Sequence, residues 1–230
     1  MNSFYDIEEN LKEIRFNIAE AVSKYRKPDD NVRLMAVTKT VPFEYVNHTV
    51  SLGIDLLGEN KVQEYQSKMD YYDKSAEVQF IGHLQTNKVK YIINNVSMIQ
   101  SVDSLKLASE VNRLAAANNL TMDVLCEVNI GGEDSKSGIA PDDLSELLEN
   151  ISQLENIRVR GLMTIPPPTG SDVFLAKMQE LFIAEREKKN KKISMDILSM
   201  GMTHDYAQAV KYGSTLVRIG TGLFGARVYK

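Results

Sequence analysis

A chain of 230 residues, at about 150 residues per domain, makes one large domain or two small ones, and it can bury about 70% of its unfolded surface without covalent staples. With 43% hydrophobic and 25% charged residues, 13 Gly and 6 Pro, it lies outside the collagen-like, low-complexity and disordered classes. Twenty-seven basic against 31 acidic residues leave a net charge of -4, without the basic excess that nucleic acid or an anionic membrane surface selects.

Ile7, Leu11, Ile14, Ile18 and Val22 recur at intervals of three and four, which predicts an amphipathic helix over about 4–25, ended before Pro28. Its acidic opening is no export signal, and no stretch reaches the ~18 apolar residues of a membrane span. The one cysteine, Cys126, sits in the apolar run VLCEV as a small buried hydrophobe. Together these features point to the reducing cytoplasm.

Short apolar runs then alternate with helical patterns. The runs are VRLMAV (32–37), IDLLG (54–58), EVQFIG (77–82), SMIQSV (97–102), MDVLCEVNI (122–130), IRVRGLMTI (157–165), MDILSMG (195–201) and STLVRIG (214–220), and the first seven are each followed by a helix-like stretch. The charged run EREKKNKK (185–192) reads as the solvated end of one such helix. Continuous apolar strands separated by helices mark a parallel sheet covered on both faces. Eight of them in one domain spanning 1–230 predict an α/β fold, a single closed (β/α)₈ barrel of the TIM type with an extra N-terminal helix. A doubly wound open sheet is the alternative. It has fewer strands and sets a Gly-rich turn after the first for a dinucleotide, whereas here that turn is TKTVP.

In a barrel the functional face lies where the strands end. The polar residues there are Lys39; Glu59 and Asn60; His83; Ser101 and Asp103; Asn129; Met163 and Thr164; Ser199 to Thr203; and Arg218 to Gly222. The three histidines have no ligand spacing, so no metal site is expected, and neither a nucleophile elbow nor a Walker loop is present. What remains is a lysine and two glycine turns. Lys39 is either a solvated lysine at a strand end or an amine that forms a Schiff base with an aldehyde. SMGMTHD (199–205) and RIGTGLFG (218–225) are either ordinary turns or, together, an anion site after strands seven and eight, with hydroxyls from Ser199, Thr203 and Thr221. An amine that captures an aldehyde, facing a phosphate pocket, implies a phosphorylated aldehyde, and pyridoxal 5′-phosphate (PLP) is the cofactor that fits.

The stretches AVTKTVP (36–42), GENKVQE (58–64), FIGHLQTNK (80–88), VNIGGEDSKSGI (128–139), RGLMTIPPP (160–168), LSMGMTHD (198–205) and VRIGTGLFGAR (217–227) resemble the pyridoxal phosphate homeostasis protein family, whose barrel is similar to the N-terminal domain of bacterial alanine racemase. The resemblance runs from about residue 5 to the end. It implies that Lys39 holds PLP as an internal aldimine. By the same resemblance Ser199, Gly201, Gly220 and Thr221 belong to the phosphate turns, Arg218 lies by the pyridine nitrogen, and Asn60 and Met163 line the cofactor. Thr203 stands where the family often has serine, and Lys61 where it often has tyrosine. His83 is given a lining role only.

A carboxylate beside the ring nitrogen makes PLP a strong electron sink, whereas an arginine leaves that nitrogen neutral, so carbanion chemistry is expected to be weak. Racemisation also needs acid–base groups on both faces of the substrate carbon. In racemase-like enzymes the second comes from a further domain, for which about ten residues after the last strand leave no room, and Tyr206 and Tyr229 are the nearby tyrosines. The expected function is therefore a monomeric, non-enzymatic PLP carrier in vitamin B6 homeostasis that buffers the cofactor or delivers it to apo-enzymes. A small PLP-dependent amino-acid racemase is the alternative. A phosphosugar isomerase would want a glutamate after strand six, where the chain reads LMTIPPP.

Overall fold

The computed structural model describes residues 3–133, 135–190 and 192–226. Its first element is α1 (Phe4–Tyr25), begun by a Ser3/Asp6 capping box, with Ile7, Leu11, Ile14, Ile18 and Ala21 on the buried stripe. Eight parallel strands follow: β1 (Arg33–Val37), β2 (Leu56–Glu59), β3 (Glu77–Phe80), β4 (Met98–Val102), β5 (Met122–Val128), β6 (Ile157–Thr164), β7 (Ile193–Ser199) and β8 (Leu216–Ile219). They pair in chain order, and β8 returns to β1 to close the barrel. The helices are α2 (Phe43–Ser51), α3 (Val62–Lys68), α4 (Leu105–Ala117), α5 (Leu144–Ile151), α6 (Ser171–Glu187), α7 (Tyr206–Lys211) and α8 (Thr221–Phe224). No helix among the described residues is long and apolar enough to cross a membrane.

The crossing from β3 to β4 departs from the expected helix. It carries only a 3₁₀ stretch, Thr86–Tyr91, followed by turn. Val89, Ile92, Ile93 and Val96 still pack inward, but β-branched residues next to Asn94 and Asn95 are poor helix formers, and burial together with hydrogen bonds from the Tyr65 hydroxyl to the Asn95 carbonyl and from Asn94 to Asn118 holds the segment. The charged run begins as expected on the end of α6, where Lys188 donates to Glu185 and Ser145; Lys191 within it lies outside the described residues.

The core has two layers. One fills the gap between barrel and helices. The other fills the barrel, with Met35, Val37, Leu56, Ile81 and Leu216 on one side, Met98, Leu125 and Met163 on the other, and Ile197 touching both. Gly161 is required by the closure itself: it sits at φ +150, and a Cβ there would lie 1.8 Å from the Ile197 carbonyl oxygen. Cys126 is fully buried, and burial pushes its thiol up to about 12, which makes it unreactive.

Candidate functional site

Met35 and Val37 face the barrel interior, and Lys39 follows in the turn directly after β1, at the C-terminal end of the strand. The strand ends in a tight turn closed by the Val41 N–H on the Thr38 carbonyl (3.0 Å), and Lys39 is half-buried within it. Its neighbour Thr40 lies at φ +63, an uncommon conformation for a β-branched residue. Val37 pairs with Gly58, so Asn60, two residues on, sits beside the Lys39 level. Asn60 Oδ1 is buried without a hydrogen-bond partner among the described residues, as are Ser101 Oγ and Glu127 Oε2 at the ends of β4 and β5.

Arg218 points into the barrel and is almost fully buried, donating to Ser199 Oγ (2.7 Å) and to the Thr164 carbonyl (2.7 Å). Ser199 Oγ in turn donates to Gln100 Oε1 (2.7 Å), and Gln100 donates to Gln79 (2.6 Å). A chain of buried polar side chains thus crosses the barrel and fixes the guanidinium. Burial lowers Arg218 to about 10 against the opposing pull of Glu127 and Asp205, which leaves it charged at neutral pH.

The two glycine turns meet. Thr203 Oγ1 and Thr221 Oγ1 are 3.2 Å apart, and the Gly222 N–H donates to Thr203 Oγ1 (3.0 Å). The two glycines expected to bind phosphate differ in kind. Gly201 lies at φ +97, and a Cβ there would come within 2.6 Å of Ala209 Cβ, so the fold alone demands glycine. Gly220 lies at φ -112, and the nearest atom to an added Cβ is Val37 Cβ at 3.5 Å. Nothing in the fold requires glycine at 220, which is what a close approach from outside would leave.

Ser199 stands apart from this pair. As the last residue of β7 it faces inward, fully buried, with its hydroxyl between Arg218 and Gln100. Met163 is also fully buried, next to Ser199 in register and packed on Met98 and Leu125. His83 is exposed, 3.8 Å from Asp103, and Lys61 is exposed at the start of α3. Tyr206 is turned away from the mouth: its hydroxyl accepts from Asn17 of α1, so it is not available as a base over the site. Tyr229 lies outside the described residues.

Glu127 is a mouth residue that the sequence reading missed, although one acid two places after Leu125 in an apolar strand is a legible signal. It is next to Met163 in register and accepts a hydrogen bond from Ser137 (3.0 Å). Burial raises its carboxyl above the ordinary range; Asp103 adds to the rise, and Ser137, Arg218 and His83 oppose it. A carboxyl raised by folding costs nothing while both states are protonated, and stability falls as pH rises from the unfolded value of about 4.3 through the folded one. We expect Glu127→Gln to remove that fall, so its melting temperature gains on the wild type as the pH is raised from about 4. A constant difference over that rise in pH would show that Glu127 does not titrate abnormally.

The chain is a closed (β/α)₈ barrel, and the family of the alanine racemase N-terminal domain matches its residues 10–228. The chain belongs to the pyridoxal phosphate homeostasis proteins within it: the Aquifex aeolicus protein of that name is 40% identical over 96% of this chain and 98% of its own length. Among solved structures, a protein from Bifidobacterium adolescentis is 30% identical over 96% of this chain and 95% of its own, with a TM-score of 0.90. PipY of Synechococcus elongatus PCC7942, solved with PLP bound, is 30% identical over 95% of this chain and all of its own, with a TM-score of 0.80.

Proposed function

We propose that this chain holds PLP reversibly through Lys39 and serves to buffer the cofactor or deliver it to other proteins. The observation that carries the reading is the likeness to PipY, a full-length relative of the same fold with PLP bound, in a chain that has a lysine at the end of β1. The residues at the mouth suit the cofactor. Asn60 Oδ1 is a buried acceptor lacking a protein donor, the Thr203/Thr221 pair offers hydroxyls, and Gly220 leaves room for close approach. When bound, PLP supplies an aldehyde carbon that amines attack. In this reading Lys39 Nζ would be the amine that holds the cofactor there. Asn60 and Met163 would line the ring, and Gly201, Gly220, Thr221 and Thr203 would take the phosphate. Arg218 would lie toward the ring nitrogen, with Ser199 fixing Arg218.

Carrying, rather than turnover, follows from Arg218. A guanidinium that stays charged leaves the ring nitrogen unprotonated and the electron sink weak, and with Tyr206 engaged by Asn17, a missing acid–base partner would typically forfeit a further ~10² to 10⁴ in rate. The protein would act as a monomer in the cytoplasm. We expect the loaded protein to restore activity to an added PLP-dependent apo-enzyme, and to give no interconversion of alanine, serine or glutamate enantiomers above free PLP. Racemisation that scales with protein and disappears in Lys39→Ala would overturn the carrier reading in favour of a small racemase, with His83 the first candidate for the second base.

A further inference from the structure

Behind the Lys39 turn, on the helix side of the barrel, lies an ion triad. Lys68 Nζ, at the end of α3, lies among four oxygens: Glu64 Oε1 at 2.8 Å, Glu59 Oε1 at 3.2 Å, and the carbonyls of Thr38 and Val41 at 2.9 and 3.3 Å. Those two carbonyls bracket Lys39 and Thr40. The carboxylates reach the same turn: Glu64 accepts the Thr40 N–H, and Glu59 accepts Thr38 Oγ1 (2.6 Å) together with the Tyr72 hydroxyl. Thr38, Thr40 and Val41 are therefore each tied to the triad through backbone, side chain or both.

Two physical points say what the triad is for. The Glu59 side chain is fully buried and that of Lys68 only 12% exposed, and buried ion pairs of this kind are often no more stabilising than apolar residues of the same volume. Stability alone does not call for one here. The turn, meanwhile, holds Thr40 in the left-handed region, a conformation that persists only where the surroundings over-determine it. The three donors of the Lys68 ammonium and two carboxylates supply that determination.

We propose that Lys68, braced by Glu59 and Glu64, is a positioning residue for Lys39: it presets the strand-end turn so that Lys39 Nζ is presented to the cofactor's aldehyde. The proposal rests on Lys39 being the lysine that holds the cofactor. Lys68 itself, ringed by oxygens, is not an amine for condensation.

The test compares two ligands that share ring and phosphate: PLP, and pyridoxine 5′-phosphate, which carries an alcohol in place of the aldehyde. Lys68→Met keeps an unbranched side chain, one atom shorter, and removes its charge and donors. Its PLP affinity is expected to fall about tenfold or more, with slower appearance of the imine absorbance, while pyridoxine 5′-phosphate binds within about twofold of wild type. In a Lys39→Ala background the same substitution should have no further effect on PLP, since the two residues act through one step. Should Lys68→Met not fold, Glu64→Ala carries the test. Its side chain is 21% exposed, and its loss removes both the Thr40 acceptor and one partner of Lys68. A loss shared equally by the two ligands, or wild-type PLP affinity in Glu64→Ala, overturns the proposal. Borohydride labelling of a lysine other than Lys39 in the wild type is a different result, and it overturns the reading on which the proposal rests.

Discussion

Replacing Lys39 by alanine is expected to give a folded protein that takes up PLP at least about a hundredfold more weakly and loses it on gel filtration, a change of about 2.7 kcal/mol. Borohydride treatment of the loaded wild type should fix the cofactor's mass to the peptide bearing Lys39 and to no other. The expectation follows from position. Lys39 is half-buried directly after β1, in a turn fixed on both sides. Other lysines near the strand ends are placed differently. Lys61 is exposed at the start of α3, Lys88 lies in the 3₁₀ stretch, and Lys68 is held among carbonyls and carboxylates. Label on Lys61 or Lys88, or a colourless protein that cannot be reconstituted, would sink the assignment. A melting curve of the variant checks that it folds, and the ties of Thr38, Thr40 and Val41 to the ion triad remain in it.

What could be read ahead of the structure was what periodicity encodes. The eight apolar runs gave the barrel, and the end of LMAV placed Lys39 just after the first strand. Strand limits were less legible: β7 begins two residues earlier than the apolar run suggests and β5 ends two residues sooner, because pairing with a neighbour and not hydrophobicity sets where a strand stops. Inside the barrel, Gln79 in EVQF and Gln100 in MIQSV were visible as polar residues in apolar strands. Their connection to Ser199 and Arg218 was not, since it spans 99 residues of sequence between Gln100 and Ser199. The same holds for Lys68. Its spacing from Glu64 signals only a surface helix pair, and its bonds to the Lys39 turn depend on how α3 packs across β1. The glycines divide along this line as well. Sequence put Gly201 and Gly220 together as phosphate residues, while the structure gives Gly201 a reason within the fold and Gly220 none.

That difference sets the second large effect. Gly220→Asp is expected to weaken PLP far more than unphosphorylated pyridoxal, and Thr221→Val to do the same to a smaller degree. A charge-assisted hydrogen bond to a phosphate is worth about 1.5–3 kcal/mol, so losing the Thr221 hydroxyl should cost about tenfold or more in affinity. The aspartate goes further because it sets a negative charge beside the phosphate, and like charges in a partly buried site repel strongly. The fold should tolerate both. An added Cβ at Gly220 meets Val37 at ordinary contact distance, and Thr221 Oγ1 lies 3.2 Å from Thr203 Oγ1, so valine there leaves Thr203 its bond from the Gly222 N–H. Pyridoxal retains the aldehyde for Lys39 and lacks only the phosphate, so its binding reports whether the lysine end of the site is intact. Equal losses for the two ligands would mean that these turns support the barrel rather than the phosphate. A selective loss, with melting temperature unchanged, would fix the phosphate at the Thr203/Thr221 pair and leave Arg218 free to face the ring.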